Sequence, residues 1–262
     1  MLRRLQVRAA QRVVPNIVRV TLTGAPLVGF ASAGPTDHLK VFFPDPATGI
    51  LTLPEAGPDG LRRGAEGVVI SRDYTPRAFR PGPHGGELDL DIVTHGLEGP
   101  ASAWAALAKT GDELAVAGPR GSRLVPEGVE RLLIVADETA LPATGRWLEL
   151  LPAHVPVTAL LHVADEAVEA YFDSAAADRL DAEWITHADG RLQLEESLRS
   201  LGRIDDTTFV FLAGEADILV PLRRYLRHEL GLPAEQVSAS GYWRRGVVNL
   251  DHHAPLDPSD PD

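Results

Sequence analysis

The 262-residue sequence predicts a β plus α/β chain: a small antiparallel barrel or sandwich, then a unit built on a parallel sheet. Three observations carry this prediction. The first half alternates apolar and polar residues at period two, between clusters of glycine and proline. The second half carries uninterrupted apolar runs separated by helical patterns. Charge divides at the same place, with 14 Lys and Arg against 12 Asp and Glu through Arg123, and 11 against 25 from Leu124 onward. Such an asymmetry indicates two units with different tasks. The expected organisation is residues 1–124, residues 125–250, and a disordered acidic tail over 251–262.

In the first half, Val18, Val20 and Leu22 point one way in a run over 17–23. Leu39, Val41 and Phe43 do the same, and Leu88, Leu90 and Ile92 repeat the pattern over 87–93. Alternation of this kind belongs to half-buried antiparallel strands. The turn-rich stretches between them, such as Pro44 to Gly49 and Pro54 to Gly60, fit several short strands. The texture changes near Pro126. Leu132-Leu133-Ile134-Val135 reads as a strand covered on both faces, and Thr139 to Leu151 as a helix, with Asp137, Glu138 or Thr139 as cap and Pro142 in its first turn. Further apolar strands are expected at 155–163 and 208–213, with a helix over 217–230 that Gly231 ends. Strands alternating with helices imply a parallel sheet.

Composition narrows the chemistry. Apolar residues at 44% and charged residues at 24% are those of a globular protein. There is no cysteine, which excludes disulfides, thiolate metal sites and cysteine nucleophiles. No apolar run approaches the roughly 18 residues of a membrane helix. Met1 to Arg12 is basic with no apolar stretch behind it, so no secretory signal is expected, and a cytoplasmic location is the expectation. The absence of clustered basic charge argues against nucleic acid. An anionic ligand of the second half must meet a local exception to a negative field. Asp251, His252 and His253 are read as an incidental tail cluster, and no metal site is expected.

Two segments of the first half carry candidate chemistry. In Arg72-Asp73-Tyr74-Thr75-Pro76-Arg77, strand spacing puts Arg72 and Tyr74 on one face. An arginine can take two pyrophosphate oxygens and a tyrosine can cover a flat ring system. The alternative is an edge strand with exposed arginines and a half-buried tyrosine. In the segment from Asp91 to Ala105, a strand ends in Val93-Thr94-His95-Gly96 and a helix opens near Ser102. Backbone N–H groups at a helix start, with a serine hydroxyl, suit a diphosphate. The alternative is a serine-capped helix with Trp104 in the core and His95 an ordinary loop histidine. In the second half, Asp137 to Ala140 stand at the carboxyl end of the first parallel strand, where open α/β sheets bind ligands.

RDYTPR, then a strand ending in THG, then GPASAWA, resemble the FAD-binding part of the siderophore-interacting protein family. ADETALPA over 136–143, AGE over 213–215 and SGYWRRG over 240–246 extend the resemblance in the same order. These are ferric-siderophore reductases related to ferredoxin reductase. The resemblance implies a Greek-key barrel that binds FAD, followed by an NAD(P)H-binding unit, in the ferredoxin-reductase-like plan. It implies that Arg72, Tyr74, Thr75, Val93, His95, Ala101 and Ser102 hold FAD, with Arg77 assisting and Trp104 in the same segment. Tyr74 would lie against the isoalloxazine and Ser102 would stand at the pyrophosphate; from the residues themselves, Thr75 can hydrogen-bond the flavin N5 if the chain bends there. Asp137, Glu138, Thr139 and Ala140 would receive the nicotinamide nucleotide, Gly214 and Glu215 would line the same cleft, and Trp243 would lie close to the flavin.

The Rossmann GxGxxG fingerprint is absent, which argues against an ordinary dinucleotide dehydrogenase. Asp165 or Glu166 can accept from a ribose 2′-OH, which favours NADH over NADPH; a surface acidic loop is the alternative. Arg244, Arg245, Arg223 and Arg227 are candidates for binding an anionic ferric siderophore, with solvated surface arginines as the alternative. The chain has only Lys40 and Lys109, so a lysine-built pocket is not available. The expected activity is transfer of electrons from NAD(P)H through FAD to a ferric siderophore, with no acid–base pair and no obligate protein partner. The rivals are a flavin or quinone reductase on the same scaffold, and a non-catalytic siderophore- or flavin-binding protein.

Overall fold

The computed structural model describes residues 1–57, 60–62, 67–97, 99–187, 190–251 and 254–260. The chain divides into two compact units, Met1–Leu124 and Val125–Asp262.

The first unit contains strands β1 (Leu2–Val14), β2 (Ile17–Thr23), β3 (Leu39–Phe43), β4 (Glu55–Gly57), β5 (Gly60–Arg62), β6 (Ile70–Tyr74), β7 (Pro76–Arg80) and β8 (Glu87–Val93). Helix α1 (Pro100–Leu107) and strand β9 (Glu113–Ala117) complete it. Seven strands form one antiparallel sheet in the order β6-β3-β9-β1-β2-β8-β7, while β4 and β5 pair separately. The two edge strands, β6 and β7, are joined by the single residue Thr75. A sheet whose opposite edges are one residue apart must curl on itself, and this one is a half-barrel closed at Thr75.

The predicted alternation explains the packing. Val18, Val20 and Leu22 oppose Ile92, Leu90 and Leu88 across the β2–β8 ladder, and all six are buried. Burying each such side chain contributes about 1.5–3 kcal/mol. The intervening residues form a charged outer face. Arg19 grips Asp91 with two bonds of 2.7 Å, and Thr21 Oγ1 donates to Asp89 at 2.8 Å.

The second unit contains β10 (Arg131–Asp137), α2 (Leu141–Leu150), β11 (Val157–Val163), α3 (Ser174–Ala177), β12 (Leu180–Thr186) and α4 (Gly190–Ser200). It continues with β13 (Thr208–Glu215), α5 (Ala216–Arg224) and β14 (Val237–Trp243). All five strands are parallel, in the order β12-β11-β10-β13-β14. The chain reverses direction across the sheet beside β10, the switch point at which such sheets bind ligands.

Three expectations are corrected here. The helix expected over 139–151 begins as a 3₁₀ turn, Glu138–Ala140, capped by Asp137, before α2 starts at Leu141. The helix expected over 217–230 is α5 followed by a wider π turn, Tyr225–Glu229; Pro221 inside it has no N–H to donate. Among the described residues of the acidic tail, 254–260 are not a solvated coil. Leu256 joins the core of this unit, Asp257 is buried against Arg224, and Asp260 pairs with Arg223 at 2.8 Å and His228 at 2.8 Å. Arg223 and Arg224 of α5 and His228 of the π turn hold the tail. His252 and His253 lie outside the described residues.

Candidate functional site

In the first unit the two predicted segments meet. Phe43 packs edge-on to Tyr74, with ring centroids 6.0 Å apart, and to Trp104 at 5.6 Å. Tyr74 ends β6 half-buried, and burial pushes its phenol well above the ordinary range although the nearby Arg72 opposes this. Thr75 is buried at the closure of the half-barrel. Arg72, two residues before Tyr74 on the same strand face, is half-buried and donates to the Ser71 carbonyl at 2.7 Å. Arg77 is half-buried on β7. Trp104 packs on the core, as the simpler expectation had it, yet it also supports the aromatic cluster behind Tyr74.

Helix α1 opens at Pro100 with Gly99 as its cap, two residues before the expected start, because Pro100 supplies a preset first turn. Ser102 is therefore inside the helix rather than capping it. Its buried hydroxyl accepts the His95 N–H at 2.9 Å and donates to the Gly96 carbonyl at 2.6 Å. Ser102 thus ties the loop after β8 to the first turn of α1. A Cβ on Gly99 would lie 3.1 Å from the His95 ring, so glycine lets the histidine fold over the helix start. Val93 is half-buried, His95 exposed and Ala101 buried around this turn. A guanidinium, a half-buried phenol and the N–H groups of a helix start are the donor set that a flavin dinucleotide needs, and these residues fit FAD.

In the second unit, the carboxyl edge of the sheet is lined with buried carboxylates. Asp137, at the end of β10, accepts the Thr139 N–H at 2.8 Å on one oxygen. On the other it accepts the Glu215 N–H and the Trp243 indole N–H, each at 2.8 Å. Burial dominates its titration and pushes it up to about 6, although the Thr139 and Trp243 bonds oppose this; the charge of Glu138 adds to the rise. Gly214 is required beside it, because a Cβ there would lie 2.5 Å from the Asp137 carboxylate. Glu215 caps α5 through Ile218 N–H at 2.8 Å and accepts the Arg245 N–H at 3.1 Å. Asp137 and Glu215 together hold the Trp243–Gly246 turn against the sheet. Ala140 is buried in the 3₁₀ turn that follows β10.

Glu138 is buried and lies 3.3 Å from His187, whose titration is raised chiefly by the Glu138 hydrogen bond. The His187 ring is 4.5 Å from that of the buried His162. Neither histidine was singled out from sequence. The missing signal was β12, whose alternating edge pattern gave no apolar run, so the position of His187 at the sheet edge was not visible. Asp165 does not stand free: its carboxylate accepts the Ala167 N–H at 2.8 Å, while Glu166 is exposed.

The four arginines separate. Arg223 is buried and bound to Asp260, and Arg227 donates to the Leu232 carbonyl, so this pair is structural and not an anion site. They share a helix face, but it faces the tail and the helix end. Arg244 pairs with Asp217 at 3.1 Å and donates to the Leu256 carbonyl. The Arg245 side chain is exposed.

Residues 6–123 match the model of the siderophore-interacting FAD-binding domain, and residues 129–246 that of the siderophore-interacting protein. An NADPH-dependent ferric-chelate reductase of Escherichia coli is 36% identical, over 92% of both chains. The ferric vibriobactin reductase of Vibrio cholerae is 32% identical, over 91% of this chain and 88% of its own. Among solved structures, a siderophore utilization protein from T. fusca superposes with a TM-score of 0.88 at 39% identity, over 97% of both chains. Phthalate dioxygenase reductase, at 15% identity and a TM-score of 0.59 over 92% of this chain and 68% of its own, shares the fold alone. With the half-barrel and the parallel sheet in place and identity sustained along nearly the whole chain, the protein belongs to the siderophore-interacting protein family.

Proposed function

We propose that the protein is an FAD-dependent oxidoreductase acting in the cytoplasm, which takes electrons from a nicotinamide nucleotide and delivers them to a ferric siderophore. The observation that carries this reading is the meeting of the 72–77 and 91–105 segments across Phe43. The reductase names of the Escherichia coli and Vibrio cholerae relatives support the acceptor class.

FAD, when bound, accepts a two-electron hydride and can release electrons singly to Fe(III), so the redox chemistry is the cofactor's. The chain's own residues bind and orient. Arg72 and the first turn of α1 offer donors for the diphosphate, Tyr74 a face for the ring system, and Thr75 a hydroxyl at its edge. Arg77, His95 and Val93 flank that position. In the second unit, the carboxylates at the switch point are engaged before a nucleotide arrives: Asp137 by Trp243 and Thr139, Glu138 by His187, Glu215 by backbone N–H groups. An anionic nucleotide therefore meets a less repulsive edge than the charge of this half implies. Trp243, held by its indole N–H, keeps an exposed ring for stacking on a planar group. Arg244 and Arg245 are the cations offered to an anionic ferric chelate. Reduction to Fe(II) weakens binding by hard oxygen ligands, which releases the metal. No side chain needs to act as acid or base.

The test is anaerobic. NADH or NADPH should bleach the flavin, and a ferric siderophore should restore it while an Fe(II) chelator traps the metal. Bleaching that no ferric chelate reverses would remove the siderophore and leave a reductase of another acceptor. Tyr74→Ala should lower flavin content and alter the visible spectrum with the fold intact. Unchanged content and spectrum would remove Tyr74 from the site.

A further inference from the structure

Four titratable side chains of the described residues gather on one side of the switch point: Asp137 at the end of β10, Glu138 just after it, His162 in β11 and His187 after β12. Three are buried, and only His187 reaches solvent, with 44% of its side chain exposed. His162 is the ladder neighbour of Asp137, and the His187 N–H donates to the Val163 carbonyl at 2.8 Å. That bond carries the ladder past the end of β12 and sets the imidazole at the carboxyl end of β11. In open α/β sheets the end of the second strand is where the adenosine ribose is read.

We propose that His187, paired with Glu138 and packed at a tilt against His162, reads the 2′ position of the adenosine ribose of the nicotinamide donor. It accepts a 2′-phosphate when the imidazole is protonated and leaves the 2′-hydroxyl favoured when it is neutral. This rests on the reading of the second unit as the nicotinamide-binding unit.

Among the described residues, the charged and titratable groups facing the imidazole are Glu138, Asp137, His162 and Arg245. Glu138 favours the imidazolium most, Asp137 adds to it, and burial and the Arg245 charge oppose it. The net direction is upward, so the cation persists above the ordinary histidine range. Without it, Arg245 is the cation left near this position, in a unit with an excess of acidic residues. Glu138 explains how a buried carboxylate can sit beside an anion site: it is matched by His187 and directs that cation outward.

The experiment compares binding of 2′,5′-ADP and 5′-AMP to the flavin-loaded protein by calorimetry from pH 5.5 to 8.5. Binding is read directly, so the result does not depend on turnover. A hydrogen bond to a charged partner supports a preference for 2′,5′-ADP of about tenfold at the acidic end. The preference should decline as pH rises through the His187 titration. In His187→Gln it should stay near unity throughout, although the phosphate's own ionisation near about pH 6 is unchanged. Glu138→Gln keeps the imidazole but should move the decline to lower pH. An undiminished preference in His187→Gln overturns the proposal, as does a decline that Glu138→Gln leaves in place. Failure of both NADH and NADPH to bleach the flavin, with the preference still following His187, would refute the reductase reading and leave the ribose site standing.

Discussion

Two buried carboxylates, one in each unit, are displaced in opposite directions. Asp89 in the half-barrel and Asp137 in the parallel sheet are 5% and 6% exposed. Burial raises both, but Asp89 is met by Arg80, Thr21 and Arg19 and ends below its ordinary value. Asp137 is met by neutral donors and Glu138 lies nearby, so burial prevails and it rises to about 6. A full cation offsets desolvation where an amide or indole N–H does not. The half-barrel thus uses its acids to clamp strands, as in the bidentate Arg80–Asp89 pair at 2.6 and 2.8 Å. The parallel sheet uses its acids to orient backbone and a tryptophan at a binding edge.

The largest expected contrast is between two glycines. Gly214→Ala drives a Cβ into the Asp137 carboxylate at a positive φ of 147°, whereas Gly96, at φ 100°, has open space around it. The first should lower stability by about 3–5 kcal/mol and the second by about 1 kcal/mol, read from urea midpoints. Equal losses would mean that the crowding beside Asp137 is not what selects glycine.

The two carboxylates should also separate by pH. The raised Asp137 contributes stability below the unfolded value near 3.8 and loses it as pH climbs through about 6, roughly 3 kcal/mol in all. The lowered Asp89 contributes stability above its unfolded value and loses it as pH falls through its folded value. Asp137→Asn should flatten the stability curve between these two limits, and Asp89→Asn should flatten only the acid limb. If both variants flatten the same limb, the contrast between the units is broken.

A smaller effect is expected at the tail. Arg223→Ala removes a buried guanidinium from Asp260 and should cost about 1–3 kcal/mol while leaving flavin content unchanged. Unchanged stability would show that the Arg223–Asp260 pair is not what holds the tail.

The half-barrel strands were legible because alternation follows from burying one face, as at Val18, Val20 and Leu22. The central parallel strands were legible because both faces are covered. Edge strands β12 and β14 were not, since a strand with one partner carries a mixed pattern. At the site, the position of Asp137 could be read from a strand meeting a helix start, but its partners could not. Glu215 lies 78 residues away and Trp243 lies 106 away, and only the β10–β13–β14 order brings them together. Arg223 and Arg227 misled for the related reason that helical spacing shows a shared face without showing what covers it.

The most direct measurement is the absorption spectrum of the purified protein supplied with FAD and then freed of excess. One flavin per chain, with bands displaced from those of free FAD and reduced in Tyr74→Ala, is the expected result. A colourless protein that takes up no FAD would contradict the central claim.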